Sequence, residues 1–269
     1  MAVNRISLNG RLTTWQEAEL DPSKLLGANW VYTTINTYGY KPLALKEKLR
    51  YAAESCKVLF GTRPQCGVEE IAVEIRNLLY FGLYPEGGNT VNLYFIPSAS
   101  GTLDRLILHE ATTPYEGLAL QTIRPRATIA NYEIPFEKHL TAVSRTAARY
   151  TDNYAASRGY TIALRANRAG HLLSSGDNPL FAMRGRALLT TPLGAGARPS
   201  TERDMMFRVA ELAGLRVIEE PLHIDDVEHY DEMMLFTPVG IQSIDSVGEI
   251  KYVNIYATVL SKFLGGLEL

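Results

Sequence analysis

A soluble two-domain chain of mixed class, α/β or α+β, is what the sequence predicts, and three observations carry the prediction. Short β-branched and aromatic runs alternate with stretches whose apolar residues recur every three or four positions. The length of 269 residues suits one large domain or two modest ones, either way with a sizeable core. The texture changes between Arg124 and Phe136, where Pro125 sits between two arginines and Ile134-Pro135 interrupts a strand-like run. That break divides the chain into a smaller N-terminal domain, residues 1–130, and a larger C-terminal one, residues 131–269.

In chain order, Ile6-Ser7-Leu8 and Arg11 to Trp15 flank Asn9-Gly10, the strongest short-range hairpin signal because both turn residues tolerate positive φ. Trp30 to Ile35 reads as a strand. Leu45, Leu49, Ala52, Ala53, Cys56, Leu59 and Phe60 mark one helix face, and Val68, Ile71, Ala72, Ile75, Leu78 and Leu79 a second. After the breaker Pro85 to Asn89 come extended segments at Val91–Ile96, Arg105–His109 and Leu118–Ile123. A long helix is expected from near Glu137, with Leu140, Val143, Ala147, Tyr150 and Tyr154 inward and Gly159 as its stop. Strands follow at Thr161–Arg165, Leu180–Met183 and Ala187–Thr190, then a helix from Thr201 to Ala213 stopped by Gly214. Arg216–Glu219 and Met233–Phe236 are strands, and Tyr252–Leu264 is a closing helix.

Composition narrows the function classes. Twenty-seven Lys and Arg against 29 Asp and Glu give a formal charge of -2, which argues against a general nucleic-acid binder. No apolar run approaches the roughly 18 residues of a membrane helix, and MAVNRISLNG lacks the apolar stretch of a signal peptide. A cytoplasmic protein is therefore expected, without membrane contact. Two cysteines, Cys56 and Cys66, carry no disulfide framework or metal spacing, and Cys56 falls on an apolar stripe.

Three constellations bear on chemistry. Gly194-Ala195-Gly196-Ala197-Arg198-Pro199-Ser200 joins a strand to the helix opened by Thr201. Free amides at a helix start bind anions, so the segment is either a phosphate site or, as its composition alone favours, a plain flexible loop. His223 to Glu232 contains Asp225 and His229 on one helical face, but acids at a helix start are explained by the dipole, and no metal is expected. Lys138 stands at the start of the expected helix, where a cation is unfavourable. It is either a solvated surface lysine offset by Glu133 and Glu137, or an amine that attacks an aldehyde.

Taken in order, these segments resemble the class IV (fold type IV) pyridoxal-phosphate enzymes, which include branched-chain and D-amino-acid aminotransferases and aminodeoxychorismate lyase. The similarity runs through Ile6–Gly10, Val31–Thr34, Tyr38–Pro42, Leu49–Ser55, Thr191-Pro192, Thr201-Glu202-Arg203 with Gly214 eleven residues beyond Arg203, Val217–Pro221, Asp231–Leu235 and Gly240-Ile241. Lys138-His139-Leu140-Thr141 looks like the cofactor-lysine motif of the lyase branch, and none of the other seven lysines stands in that region.

The resemblance implies a two-domain α+β fold of the D-amino-acid aminotransferase type, a homodimer, and pyridoxal 5'-phosphate as cofactor. It implies Lys138 as catalytic residue and an amino acid and a 2-oxo acid, or aminodeoxychorismate, as substrates. The cofactor's phosphate falls at the amides of Thr201 and Glu202, with Thr237 and Pro238 at a second phosphate turn. Three positions depart from the family. Its phosphate arginine falls at Tyr51, one place after Arg50; its ring-nitrogen glutamate falls at Leu173 or Ser174, with Asp177 the nearest acid; its Tyr-Glu-Thr strand reads Tyr32-Thr33-Thr34. These departures admit an alternative: a homologue that kept the fold, lost the cofactor and became a binding protein.

Overall fold

Asn9 and Gly10 take positive φ, 50° and 86°, and close the turn between β1 (Arg5–Leu8) and β2 (Arg11–Thr14) as the Asn-Gly pair predicts. The computed structural model describes residues 5–19, 29–98, 100–113 and 117–267. By density of contacts the chain divides into residues 1–116 with 139–142, and residues 117–138 with 143–268. That division differs from the 1–130/131–269 expectation chiefly in giving residues 117–130 to the second unit.

The first unit is built from β1, β2, β3 (Val31–Tyr38), β4 (Lys41–Pro42), α1 (Leu45–Phe60), α2 (Val68–Phe81), β5 (Gly88–Pro97) and β6 (Leu103–Thr113). Its sheet runs β2-β1-β6-β5-β3-β4, and every pairing in it is antiparallel. Strand side chains alternate between faces. Val31, Ile35, Val91, Leu93, Phe95 and Ile107 therefore meet Ala52, Cys56, Ile71, Ile75, Leu78 and Leu79 of the helices. Tyr32, Tyr94, Ile6 and Leu106 turn to the other face, where Trp30 stands edge-on to Tyr94 at 5.1 Å. Cys56 is core, as its stripe predicts, and burial pushes its thiol up to about 12. Gly61, at φ 73°, ends α1 by donating its amide to the Lys57 carbonyl.

The stretch 139–142 also belongs to this unit. The Tyr32 amide donates to the Leu140 carbonyl at 3.0 Å, Thr141 bridges to Val31, and His139 Nδ1 lies 2.9 Å from Ser55 Oγ. An extended strap cannot also be helix, so α3 (Ala142–Ala156) starts later than the expected position near Glu137. Lys138 consequently lies in a turn and not in a first helical turn.

The second unit contains β7 (Ala119–Leu120), β8 (Arg126–Asn131), α3, β9 (Ile162–Ala166), β10 (His171–Ser175), β11 (Asn178–Arg184), β12 (Ala187–Thr190), α4 (Thr201–Leu212), β13 (Arg216–Glu219), β14 (Leu222–His223), β15 (Glu232–Thr237), β16 (Gly240–Ser243), β17 (Ser246–Val247), β18 (Ile250–Lys251) and α5 (Ile255–Ser261). Parallel pairs β8/β9 and β12/β13 are joined through α3 and α4, while β9, β10, β11, β15 and β16 continue antiparallel.

The alternation of β11 separates two cores. Leu180 and Ala182 join Leu164, Leu172, Leu189 and Met233. Phe181 and Met183 join Met206, Val209 and Ala210 of α4 with Ala257 and Leu260 of α5. Each fully buried Leu or Phe contributes roughly 1.5–3 kcal/mol.

Three elements differ from expectation. The inward face of α3 is Ser144, Thr151 and Ala155, whereas Val143 and Tyr150 are 49% and 70% exposed. Small residues let the helix lie close on β8 and β9, with Ala155 beside Ala130 and Ala163 and the Tyr132 hydroxyl donating to the Ala147 carbonyl. The extended segment expected over 118–123 forms only β7, and the closing helix is limited to Ile255–Ser261. Strand β10 is an addition to the expected set.

Candidate active site

Ser200 opens α4. Its backbone is extended and its hydroxyl accepts from the Arg203 amide at 3.1 Å, which leaves the first amides of the helix without intrahelical partners. The Thr201 hydroxyl oxygen is buried there and has no hydrogen-bond partner among the described residues. A buried polar atom left without a partner is rare and costly, and a bound water, ion or ligand is one way to satisfy it.

The preceding loop is not a free cradle. The amides of Ala195 and Ala197 donate to the Pro192 carbonyl and that of Gly196 to Leu193, while the Asn167 side-chain amide holds the Ala195 carbonyl at 2.9 Å. Gly196 sits at φ 112° with Asn167 against it, a place for glycine alone. The loop before Thr201 is thus held by its own backbone bonds and by Asn167.

Lys138 is exposed, in a turn. Its predecessor is fixed within the second unit: the Glu137 carbonyl accepts from Arg198 Nε at 3.0 Å, and Glu137 Oε1 lies 2.5 Å from Arg165 Nη2. Arg198 also donates to Asp177 at 2.7 Å. One arginine thus stitches the lysine turn both to the loop that leads into Thr201 and to the acid that follows β10.

Arg165 was not among the residues singled out from the sequence. It is buried on β9, paired with Glu137, and donates to Ser174 Oγ at 3.3 Å. Its other terminal nitrogen, Nη1, is buried without a hydrogen-bond partner among the described residues. The signal available was an arginine inside the apolar run Ile162–Ala166, since Arg is almost never fully buried unless paired. Ser174, Asp177, Arg198, Ser200 and Arg203 line one narrow crevice of about 10 Å³, room for a single water.

The remaining sequence candidates lie as follows. Glu202 follows Thr201 in the first turn of α4, with Asp204 beyond it, acids that the helix dipole favours. Thr237 spends its hydroxyl on its own turn, donating to the Gly240 carbonyl and accepting from the Val239 amide. Pro238 has no amide to offer. Arg50, in the first unit, is exposed on α1 with its guanidinium over the Tyr51 ring at 4.5 Å. Among the described residues no cluster of three or more His, Cys, Asp or Glu is arranged to hold a metal. His229 lies 3.9 Å from Asp226, exposed like its partner.

The model of the family described as amino-transferase class IV matches residues 30–247. A Methanocaldococcus jannaschii protein assigned as a branched-chain-amino-acid aminotransferase is 24% identical over 243 residues, covering 86% of this chain and 83% of that one. Among solved structures, the branched-chain amino acid aminotransferase of Thermobaculum terrenum in its PLP form superposes with a TM-score of 0.82 at 18% identity, over 97% of this chain and 92% of that one. A Legionella pneumophila protein assigned as a 4-amino-4-deoxychorismate lyase gives 0.77 at 18% identity, over 90% and 92%. The fold is the one expected from the resemblance.

Proposed function

Because the chain belongs to the amino-transferase class IV family, whose members are pyridoxal-phosphate-dependent aminotransferases and lyases, we propose that it uses pyridoxal phosphate through its own Lys138 and Thr201. The reaction is transfer of an amino group between an amino acid and a 2-oxo acid, or elimination from an aminodeoxychorismate-like substrate. The observation that carries this reading is the buried, unpartnered Thr201 hydroxyl at the start of α4. It fits the phosphate end of the cofactor, since an anion there meets a hydroxyl and the positive end of the helix dipole.

When bound, the cofactor supplies an aldehyde for amino groups and a ring that takes up carbanion charge. Lys138 is the amine that would hold the cofactor's aldehyde and would take up the proton released at the substrate's Cα. Glu137, fixed by Arg165 and Arg198, anchors the turn that presents this amine. Thr237 with Pro238 supplies turn shape more than donors. The residues do not fit a protonated ring nitrogen: neither Leu173 nor Ser174 is an acid, and Asp177 is bound to Arg198.

The proposal includes a cytoplasmic homodimer. Among the described residues no helix is long and apolar enough to cross a membrane, and Val143 and Tyr150 on α3 stand exposed as a subunit contact would use them. Sedimentation tests the oligomeric state.

The test of the chemistry is incubation with pyridoxal phosphate, borohydride reduction and peptide mass spectrometry. A pyridoxyl adduct on Lys138, with near-visible absorption absent in Lys138→Ala, supports the reading. A colourless protein that takes up no cofactor overturns it in favour of the cofactor-free binding protein.

A further inference from the structure

Arg198 divides its donors between two acceptors that are held very differently. Nε gives its proton to the Glu137 carbonyl at 3.0 Å, in a turn that Arg165 also fastens. Nη1 meets Asp177 Oδ1 at 2.7 Å. Asp177 stands with Gly176, at φ 55°, in the two-residue turn between β10 and β11, where Ser175 faces Asn178. The Arg198 side chain is nine-tenths buried, while the Asp177 side chain that balances it is 38% exposed. Asp177 also lies near another acid: after burial, its charge is what pushes the Asp152 carboxyl up. A buried cation thus keeps a counter-ion that reaches solvent and repels a neighbour.

Arg198 stands three residues before Thr201, and Ser200 lines the same crevice. With Asp177 in place that crevice has about 10 Å³, room for one water, so an anion reaches Arg198 only by exchange for the carboxylate. A phosphate monoester suits the exchange. It offers a guanidinium the same paired oxygens as a carboxylate, and it carries about −1.5 to −2 charge near neutral pH, more than a carboxylate does. The chain also has tyrosine, Tyr51, where the resemblance puts a phosphate arginine. Resting on the functional reading above, we propose that Asp177 is an internal stand-in anion, which a phosphate monoester displaces from Arg198, and that Arg198 is the cation for the cofactor's phosphate. The departing side chain vacates the space that the phosphate oxygens take. Only those oxygens need reach Arg198, since the crevice has no room for a ring.

The test is titration of the full chain with pyridoxal phosphate and with pyridoxal, which lacks the phosphate, followed by absorption. Asp177→Asn keeps a residue that turns accept and removes the competing charge. It should lower the pyridoxal phosphate Kd about fivefold and leave the pyridoxal Kd unchanged. Arg198→Gln should raise the pyridoxal phosphate Kd about tenfold relative to that of pyridoxal. An ion pair that serves the fold alone predicts lower stability in both variants and no change in the ratio of the two Kd values. That result, or weaker pyridoxal phosphate binding in Asp177→Asn, overturns the inference even with the adduct on Lys138 in place. Absence of the adduct overturns the functional reading instead. Inorganic phosphate is then the probe: it must raise the Tm of Asp177→Asn more than that of the unmodified protein, or the inference falls too.

Discussion

Glu232 Oε1 accepts a hydrogen bond from the Ala257 amide at 2.9 Å, so a carboxylate on β15 caps a helix that lies 25 residues further along the chain. Its other oxygen takes the Tyr256 amide at 2.8 Å. Within α5 the cap residue Asn254 makes no side-chain cap of its own, and Glu232, fully buried, serves instead. Burial raises the carboxyl above its ordinary range, against the lowering effect of the two amides. A group whose folded pKa is raised favours the fold most when protonated; its contribution is full below the unfolded value, about 4.3, and declines as pH rises through the folded one. The stability of Glu232→Gln relative to the unmodified protein should therefore improve as pH is raised from about 4 to 7. Urea unfolding at a series of pH values measures this, and a relative stability that worsens over that range contradicts it.

Gly240 has φ 121°, and a Cβ there would lie 2.0 Å from the Ala119 carbonyl oxygen. The close approach is the parallel pairing of β7 with β16, in which Gly240 faces Ala119 and Ile241 faces Leu120. Gly240→Ala adds backbone strain and parts the two strands, a cost of about 3–4 kcal/mol. Gly248→Ala is the control: φ is 60° with nothing near the added carbon, so about 1–2 kcal/mol is expected from conformation alone. Chemical denaturation of the two variants separates close approach from φ.

What could be read in the sequence divides along physical lines. The Asn9-Gly10 turn and the stripes of α1 and α2 were legible because each bears a local signal, turn chemistry or large apolar residues at helical spacing. Helix α3 misled because its large side chains, Val143 and Tyr150, face outward, while its buried face is Ala, Ser and Thr; close packing needs small residues, which carry little hydrophobic signal. Its late start follows from the hydrogen bond between Tyr32 and Leu140, a pairing between residues far apart in the chain. Strand β10 contains His171 and two serines and no β-branched residue, so neither propensity nor alternation announced it. At the candidate site, Thr201 was legible as a helix start and Lys138 through the resemblance. The Glu137–Arg165–Ser174 chain was not, because its members come from a turn and two strands and only the fold makes them neighbours.

His139 Nδ1 and Ser55 Oγ are 2.9 Å apart, and this contact ties the strap of residues 139–142 to α1 within the first unit. Ser55→Ala deletes one half-buried bond, worth about 1 kcal/mol. The contact is local to the strap, so the loss should appear as local opening as well as in global stability. The Tyr32 amide, which donates to the Leu140 carbonyl at 3.0 Å, is the reporter: its hydrogen exchange should quicken about fivefold. Exchange at Leu93, buried in the sheet core, should change less.

Thr201→Val separates a structural from a ligand-binding role for the buried hydroxyl. If the hydroxyl served the fold, removing it would destabilise the protein. It has no hydrogen-bond partner among the described residues, so replacing it by a methyl group of similar shape removes a desolvation cost, and the cofactor-free protein should gain about 1 kcal/mol in urea unfolding. The same change removes a donor from the phosphate end of the cofactor, where a bond to a charged group is worth about 1.5–3 kcal/mol, so the pyridoxal phosphate Kd should rise about 10–100-fold. Opposite signs in the two measurements are the signature of a hydroxyl reserved for a ligand. A variant that is less stable and binds cofactor as before would show that Thr201 belongs to the fold alone.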